Sequence, residues 1–190
     1  SVMAANKPGL IVGSAPHANY WLIRTEVTGQ ESRIEEYQWS IGAAFADSVG
    51  VDVINSSLGY TVFDNTLYNY SYEMMDGNTA IVTRAADIAA AKGILVVNSA
   101  GNEGTSTWKY IGAPADGDSV LTVGATDYKG FHAAFSSWGP TFDGRIKPDV
   151  SAQGSGTWLL MTSGTAQGGN GTSFSSPLIA GSMACLMQAL

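Results

Sequence analysis

The stretch G-T-S-F-S-S-P, Gly171 to Pro177, decides how this chain is read. It stands between a Gly-rich loop and an apolar run, Leu178 to Leu190, that reads as a helix. Pro177 suits the first turn of that helix, where a missing N–H is no loss. Ser173 then falls at or just before a helix N-terminus. There, free N–H groups and the positive end of the dipole favour developing negative charge, the setting a serine nucleophile needs. The same residues also read as an N-cap serine in a Gly/Ser loop.

Upstream of this stretch the chain alternates strands and helices. Tyr20 to Glu26 reads as a strand, Ile34 to Ser48 as an amphipathic helix and Val51 to Ser56 as a short apolar strand. Ala80 to Lys92 is Ala-rich and helical, with Gly93 as its C′ glycine. Ile94 to Asn98, Val120 to Val123 and Asp149 to Ala152 complete the strands. Alternation of this kind predicts parallel strands joined by crossover helices, an α/β fold. Tyr60 to Thr79 is a long polar and aromatic insertion, read either as a surface loop or as a cleft rim.

The chain has 190 residues, enough for one domain with a substantial core, and no internal boundary is visible. Only 13% of residues are charged and 23 are glycine, which suits a large buried sheet with tight loops. Net charge is −7 with no basic cluster, which argues against nucleic acid or an anionic membrane as partner. No apolar run approaches the roughly 20 residues of a membrane span. Cys185 is the only cysteine, so an internal disulfide is impossible; within the apolar run it reads as a buried, inert thiol.

The heptad with its proline resembles the nucleophile motif of the subtilases, the subtilisin-like serine peptidases, with Ser173 at the nucleophile position. Three further segments keep the order of that family. G-V-D-V-I-N-S-S-L-G, Gly50 to Gly59, resembles its central strand and the following turn. G-I-L-V-V-N-S-A-G-N-E-G, Gly93 to Gly104, resembles the strand ending in the oxyanion asparagine, here Asn102. F-S-S-W-G-P and K-P-D-V-S-A-Q-G, within Phe135 to Gly154, resemble the segment leading toward the serine loop. The resemblance implies a doubly wound, mostly parallel α/β sheet and hydrolysis of peptide bonds through an acyl-enzyme on Ser173.

It also implies the division of labour at the site. Ser173 supplies the nucleophile, and the Asn102 amide with the Ser173 N–H supplies the oxyanion donors. Asn102 reads alternatively as a turn residue after Gly101. Ser57, Leu58 and Gly59 would form one wall of the substrate cleft. Asn98, Ser99, Ala100 and Gly101 would form the other, a roomy, largely uncharged slot suited to an apolar or aromatic side chain. The alternative is that both stretches are tight-turn residues chosen for backbone geometry. No cofactor is expected, and no metal. The loop Asn6 to Leu10, which corresponds to a calcium site of the family, has no carboxylate. Asp64, Glu73 and Asp76 in the long loop could bind an ion, but they read first as solvated acids.

The family order is Asp, then His, then Ser. Of the two histidines, His17 lies in G-S-A-P-H-A-N-Y-W and His132 in a Gly/Phe loop, and neither has a His-Gly-Thr context. There is no Asp-Thr-Gly motif, and Asp52 lies within a strand, well before its end. Ser1 to Ala5 resembles the tail of the helix that follows the catalytic histidine. The expectation is therefore a partial subtilase domain, 1–190, retaining the family's third to seventh strands and the serine helix. Its partners would be a protein or peptide substrate and the missing N-terminal segment of the same domain. The family resemblance places the parent outside the cell or in its envelope. A subtilase-like pseudoenzyme, acting as a binding or structural module, is the alternative. In the family fold an interior strand lies between those matching Tyr20–Glu26 and Val51–Ser56. Its loss predicts a slot that is either filled by another chain or relieved by displacement of Tyr20–Glu26.

Overall fold

The computed structural model describes all of residues 1–190. A short antiparallel hairpin, β1 (Asn6–Lys7) and β2 (Ile11–Val12), precedes the first long helix, α1 (Ile34–Ser48). β3 (Val53–Ser56), α2 (Ile81–Ala91), β4 (Leu95–Ser99), β5 (Val120–Thr126) and β6 (Val150–Gln153) follow. A second hairpin, β7 (Thr157–Leu160) and β8 (Ala166–Gly169), leads into α3 (Thr172–Ala189).

The helices form where apolar spacing allows one face to be covered. On α1 the buried Trp39, Gly42, Ala43 and Ala46 recur at helical spacing. On α2 the buried Val82, Thr83, Ala86 and Ala89 do the same in a stretch of strong helix formers. Gly93, at φ +96°, ends α2 as its sequence predicts.

β3, β4, β5 and β6 form one parallel sheet in that spatial order, with Val53 opposite Leu95, Val96 opposite Val120 and Val123 opposite Val150. Alternation along β4 sends Val96 into a cluster with Trp39, Val82 and Ala86, and Val97 into one with Val123 and Ala180. The sheet is thus covered on both faces, by α1 and α2 on one and by α3 on the other. This is the doubly wound arrangement, and it fits the apolar run Leu95–Val97 in the central strand β4.

Tyr20–Glu26 is not a strand here. It makes no backbone–backbone hydrogen bond. It lies over α1 instead: Trp21 stacks edge-on against Phe45 at 5.4 Å, and Ile23 and Thr25 cover Gly42. The physical reason is the lack of a partner edge. β3 pairs only with β4, so no strand lies between β3 and this segment to continue the ladder. Trp21 and Ile23 stay partly exposed even so, and Leu22 stands in water at 94% exposure.

The insertion after β3 is more than a surface loop. Tyr60, Phe63, Tyr70 and Met75 are buried in the main core cluster, around 3-10 turns at Thr66–Tyr68 and Tyr72–Met74. The buried Glu36 carboxylate fastens it, accepting from Tyr70 Oη, Arg33 Nε and the Val82 N–H. The β7–β8 hairpin has no counterpart in the sequence reading, because its Gly-rich second strand, Ala166–Gly169, lacks β-branched and aromatic residues. Cys185 is exposed, not buried, with its Sγ 3.4 Å from the Ser14 carbonyl.

Candidate active site

Ser173 is the second residue of α3, half-buried at the helix N-terminus. Gly171 turns the chain from β8 into the helix at φ +155°, while its N–H donates to the Gly154 carbonyl at 2.8 Å. Pro177 lies deeper than the sequence suggests, as the sixth helical residue rather than in the first turn. There it withholds the N–H that the Ser173 carbonyl, one turn earlier, would otherwise accept. Ser57 Oγ donates to that carbonyl instead, at 3.1 Å. Ser176 Oγ donates to Asn55 Oδ1 at 2.9 Å. The first two turns of α3 are therefore tied by side chains to β3 and the residue that follows it.

Asn102 follows the exit of β4. Its Oδ1 accepts from the Thr172 N–H at 2.9 Å and from Thr172 Oγ1 at 3.1 Å. Thr172 Oγ1 in turn accepts the Gly101 N–H at 3.2 Å. With Oδ1 doubly occupied the amide orientation is fixed. Nδ2 has no acceptor within the chain, and Asn102 is exposed. A neutral donor is thus held next to the residue preceding Ser173. Gly101 itself admits no side chain: it sits at φ +105°, and a Cβ would come within 2.9 Å of Ser137 Oγ.

The two stretches read as cleft walls leave the sheet side by side. The last rung between β3 and β4 pairs Ser56 with Asn98. Beyond it, Ser57–Gly59 and Ser99–Gly101 diverge. Asn98, Ser99 and Ala100 are buried, and of this stretch only Gly101 is partly exposed. Gly59 is exposed, and Leu58 packs half-buried against the main core.

Ser173 Oγ makes no hydrogen bond, and neither histidine makes one through its side chain. His17 and His132 are both exposed, and the latter pairs through its backbone with Thr126 at the end of β5. Asp64 and Asp76 are spent on backbone: Asp64 accepts the Glu31 N–H, while Asp76 accepts from Asn78, Thr79 and the Thr79 hydroxyl ahead of α2.

An acidic group unforeseen from the sequence gathers Glu26, Glu31 and Glu35, whose carboxylates lie within 4.8 Å of one another. Glu35 accepts the Val27 and Ser32 N–H groups and Glu26 accepts from Tyr60 Oη at 2.6 Å. Burial and the nearby Glu35, Glu26 and Asp64 raise the Glu31 carboxyl above its ordinary range. Thr172 bridges Gly101 and Asn102, a role to which only its place beside Ser173 in the heptad points.

The whole chain, residues 1–190, matches the family model described as the subtilase family. It is 34% identical over 192 residues to subtilisin DY of Bacillus licheniformis and 33% identical over 191 residues to subtilisin E of Bacillus subtilis. Each match takes in 99% of this chain, which spans 61% of the first relative's length and 44% of the second's. Among solved structures, the self-cleaved protease domain of PatA superposes with TM-score 0.78 at 24% identity, over 99% of this chain and 64% of that one. The epidermin leader peptide processing serine protease (EpiP) from Staphylococcus aureus gives 0.74 at 22%, over 98% of this chain and 51% of that one. By the family match over its full length and its identity to these subtilisins, the chain belongs to the subtilase family.

Proposed function

We propose that residues 1–190 carry the nucleophile and oxyanion half of a serine endopeptidase. The observation that supports this most directly is the Asn102–Thr172 pair, which leaves the Asn102 Nδ2 donor unspent beside Ser173. In the reaction Ser173 Oγ attacks the peptide carbonyl carbon and its proton passes to a base. The oxygen takes up negative charge between Asn102 Nδ2 and the Ser173 N–H. The amine leaves with the proton, and water then releases the acyl group from Ser173.

No base approaches Ser173 within these residues, so its hydroxyl stays protonated and weakly nucleophilic. The base and its aspartate would come from a further segment of the same domain. That segment would also add a strand at the open edge of β3 and cover Trp21, Leu22 and Ile23. Substrates would be proteins or peptides, outside the cell or in its envelope. No helix of the chain is long and apolar enough to cross a membrane. The unpartnered Ser173 Oγ also favours a second reading, a binding module that does no chemistry.

Fluorophosphonate labelling and a peptide assay separate the readings. Residues 1–190 alone should label slowly and turn over no faster than the residual ~10³–10⁴ over water of sites lacking triad members. The full-length protein should label stoichiometrically at Ser173. Stoichiometric labelling of 1–190 alone would overturn the divided-site reading, and an unlabelled full-length protein would leave the binding module.

A further inference from the structure

We infer that Asn98 is a positioning residue that sets the spacing of the two cleft walls, by replacing the missing rung of the β3–β4 ladder with its side-chain amide. Backbone pairing between the strands stops at Ser56 and Asn98. One step further on the chains part. At this fork Asn98 Nδ2 donates to the Leu58 carbonyl at 3.1 Å and to the Ser99 carbonyl at 2.8 Å. One planar amide thus grips one carbonyl from each wall.

The rest of the frame makes this tie consequential. The Ser57 side is bound to α3 through the Ser173 carbonyl, and the Gly101 side through Thr172 Oγ1. Both walls are fixed to the helix that carries the nucleophile, and Asn98 is the side chain that fixes them to each other. It does so at a cost. Asn98 is fully buried, yet its Oδ1 has no partner. Native interiors rarely leave such an acceptor unsatisfied, and the exceptions call for an explanation. An apolar residue would fill the site without the orphan oxygen, but it would leave both wall carbonyls without this donor. The Asn98 side chain does not reach a substrate. It acts through the Leu58 and Ser99 backbone, and so on the width of the slot between them.

The consequence for substrate rests on the peptidase reading; the clamp rests on the hydrogen bonds alone. The test uses the full-length protein with Asn98→Ala and, for shape, Asn98→Leu. In hydrogen exchange, residues 57–60 and 99–101 should exchange about three- to tenfold faster, the equivalent of one lost hydrogen bond. Residues 53–56 and 95–97 should keep their protection. Unchanged exchange at the walls, or uniform loosening of the sheet in both variants, overturns the clamp.

In peptide hydrolysis KM should rise about three- to tenfold, most for substrates whose primary side chain fits the slot tightly. Turnover and the rate of fluorophosphonate labelling should hold. Unchanged KM and preference, or turnover and labelling falling together at constant KM, overturn the positioning role. A wild-type protein that cleaves no peptide refutes the peptidase reading instead, while the exchange data still decide the clamp.

Discussion

Ser57→Ala should destabilise the protein only because Pro177 is where it is. The Ser57 hydroxyl donates at 3.1 Å to the Ser173 carbonyl, a half-buried acceptor that the proline deprives of its helical donor. Removing the hydroxyl leaves that carbonyl unpaired, which costs about 1–2 kcal/mol, the lower part of the range for a buried polar group. For a domain of this size the shift in melting temperature is about 2–4 °C per kcal/mol. Pro177→Ala restores an N–H one turn after Ser173, and the carbonyl can then be satisfied within the helix. In that background Ser57→Ala should cost less than about 0.5 kcal/mol, giving a coupling near 1 kcal/mol. Denaturant unfolding of the wild type, both single variants and the double variant completes the cycle. Additivity within about 0.3–0.5 kcal/mol would refute the claim that the serine substitutes for the missing helical donor.

Asn102→Ala in an active full-length form should lower turnover by about 10²–10³, the loss known for removal of a subtilisin's oxyanion asparagine, with little change in KM; unchanged turnover would make Asn102 a turn residue. Glu36→Ala should destabilise by about 2–3 kcal/mol in denaturant unfolding, since it orphans the Val82 N–H and takes from Tyr70 Oη its acceptor, while the partly exposed Arg33 can turn to water. Asp116 is fully buried, and burial raises its carboxyl above the ordinary range despite donors from Gly77 and Thr83. A raised acid binds more protons folded than unfolded, so stability should fall as pH rises from about 4 through the folded value. Asp116→Asn keeps an acceptor for Thr83 and should flatten that decline in pH-dependent melting; an unaltered slope would show that Asp116 titrates as it does unfolded.

The sequence by itself determined the family, the order of the main elements and the candidacy of Ser173 and Asn102. These are local or patterned facts. Apolar spacing fixes which face of α1 and α2 is buried, Gly93 can end a helix alone, and Gly-Thr-Ser-x-x-x-Pro is contiguous. Only the tertiary structure decided what depends on residues far apart in the chain. Pro177 reads as a first-turn residue until the Ser57 hydroxyl is seen at the carbonyl it leaves free. Asn98 reads as pocket lining until its amide is seen behind both walls. Tyr20–Glu26 opens on the aromatic and β-branched residues of a strand, yet a strand exists only if an edge is there to pair with, and no local pattern can report that. The insertion reads as polar and aromatic, a surface loop or a rim, but Tyr70 enters the core, where Glu36, on a helix some thirty residues earlier, supplies the acceptor it needs.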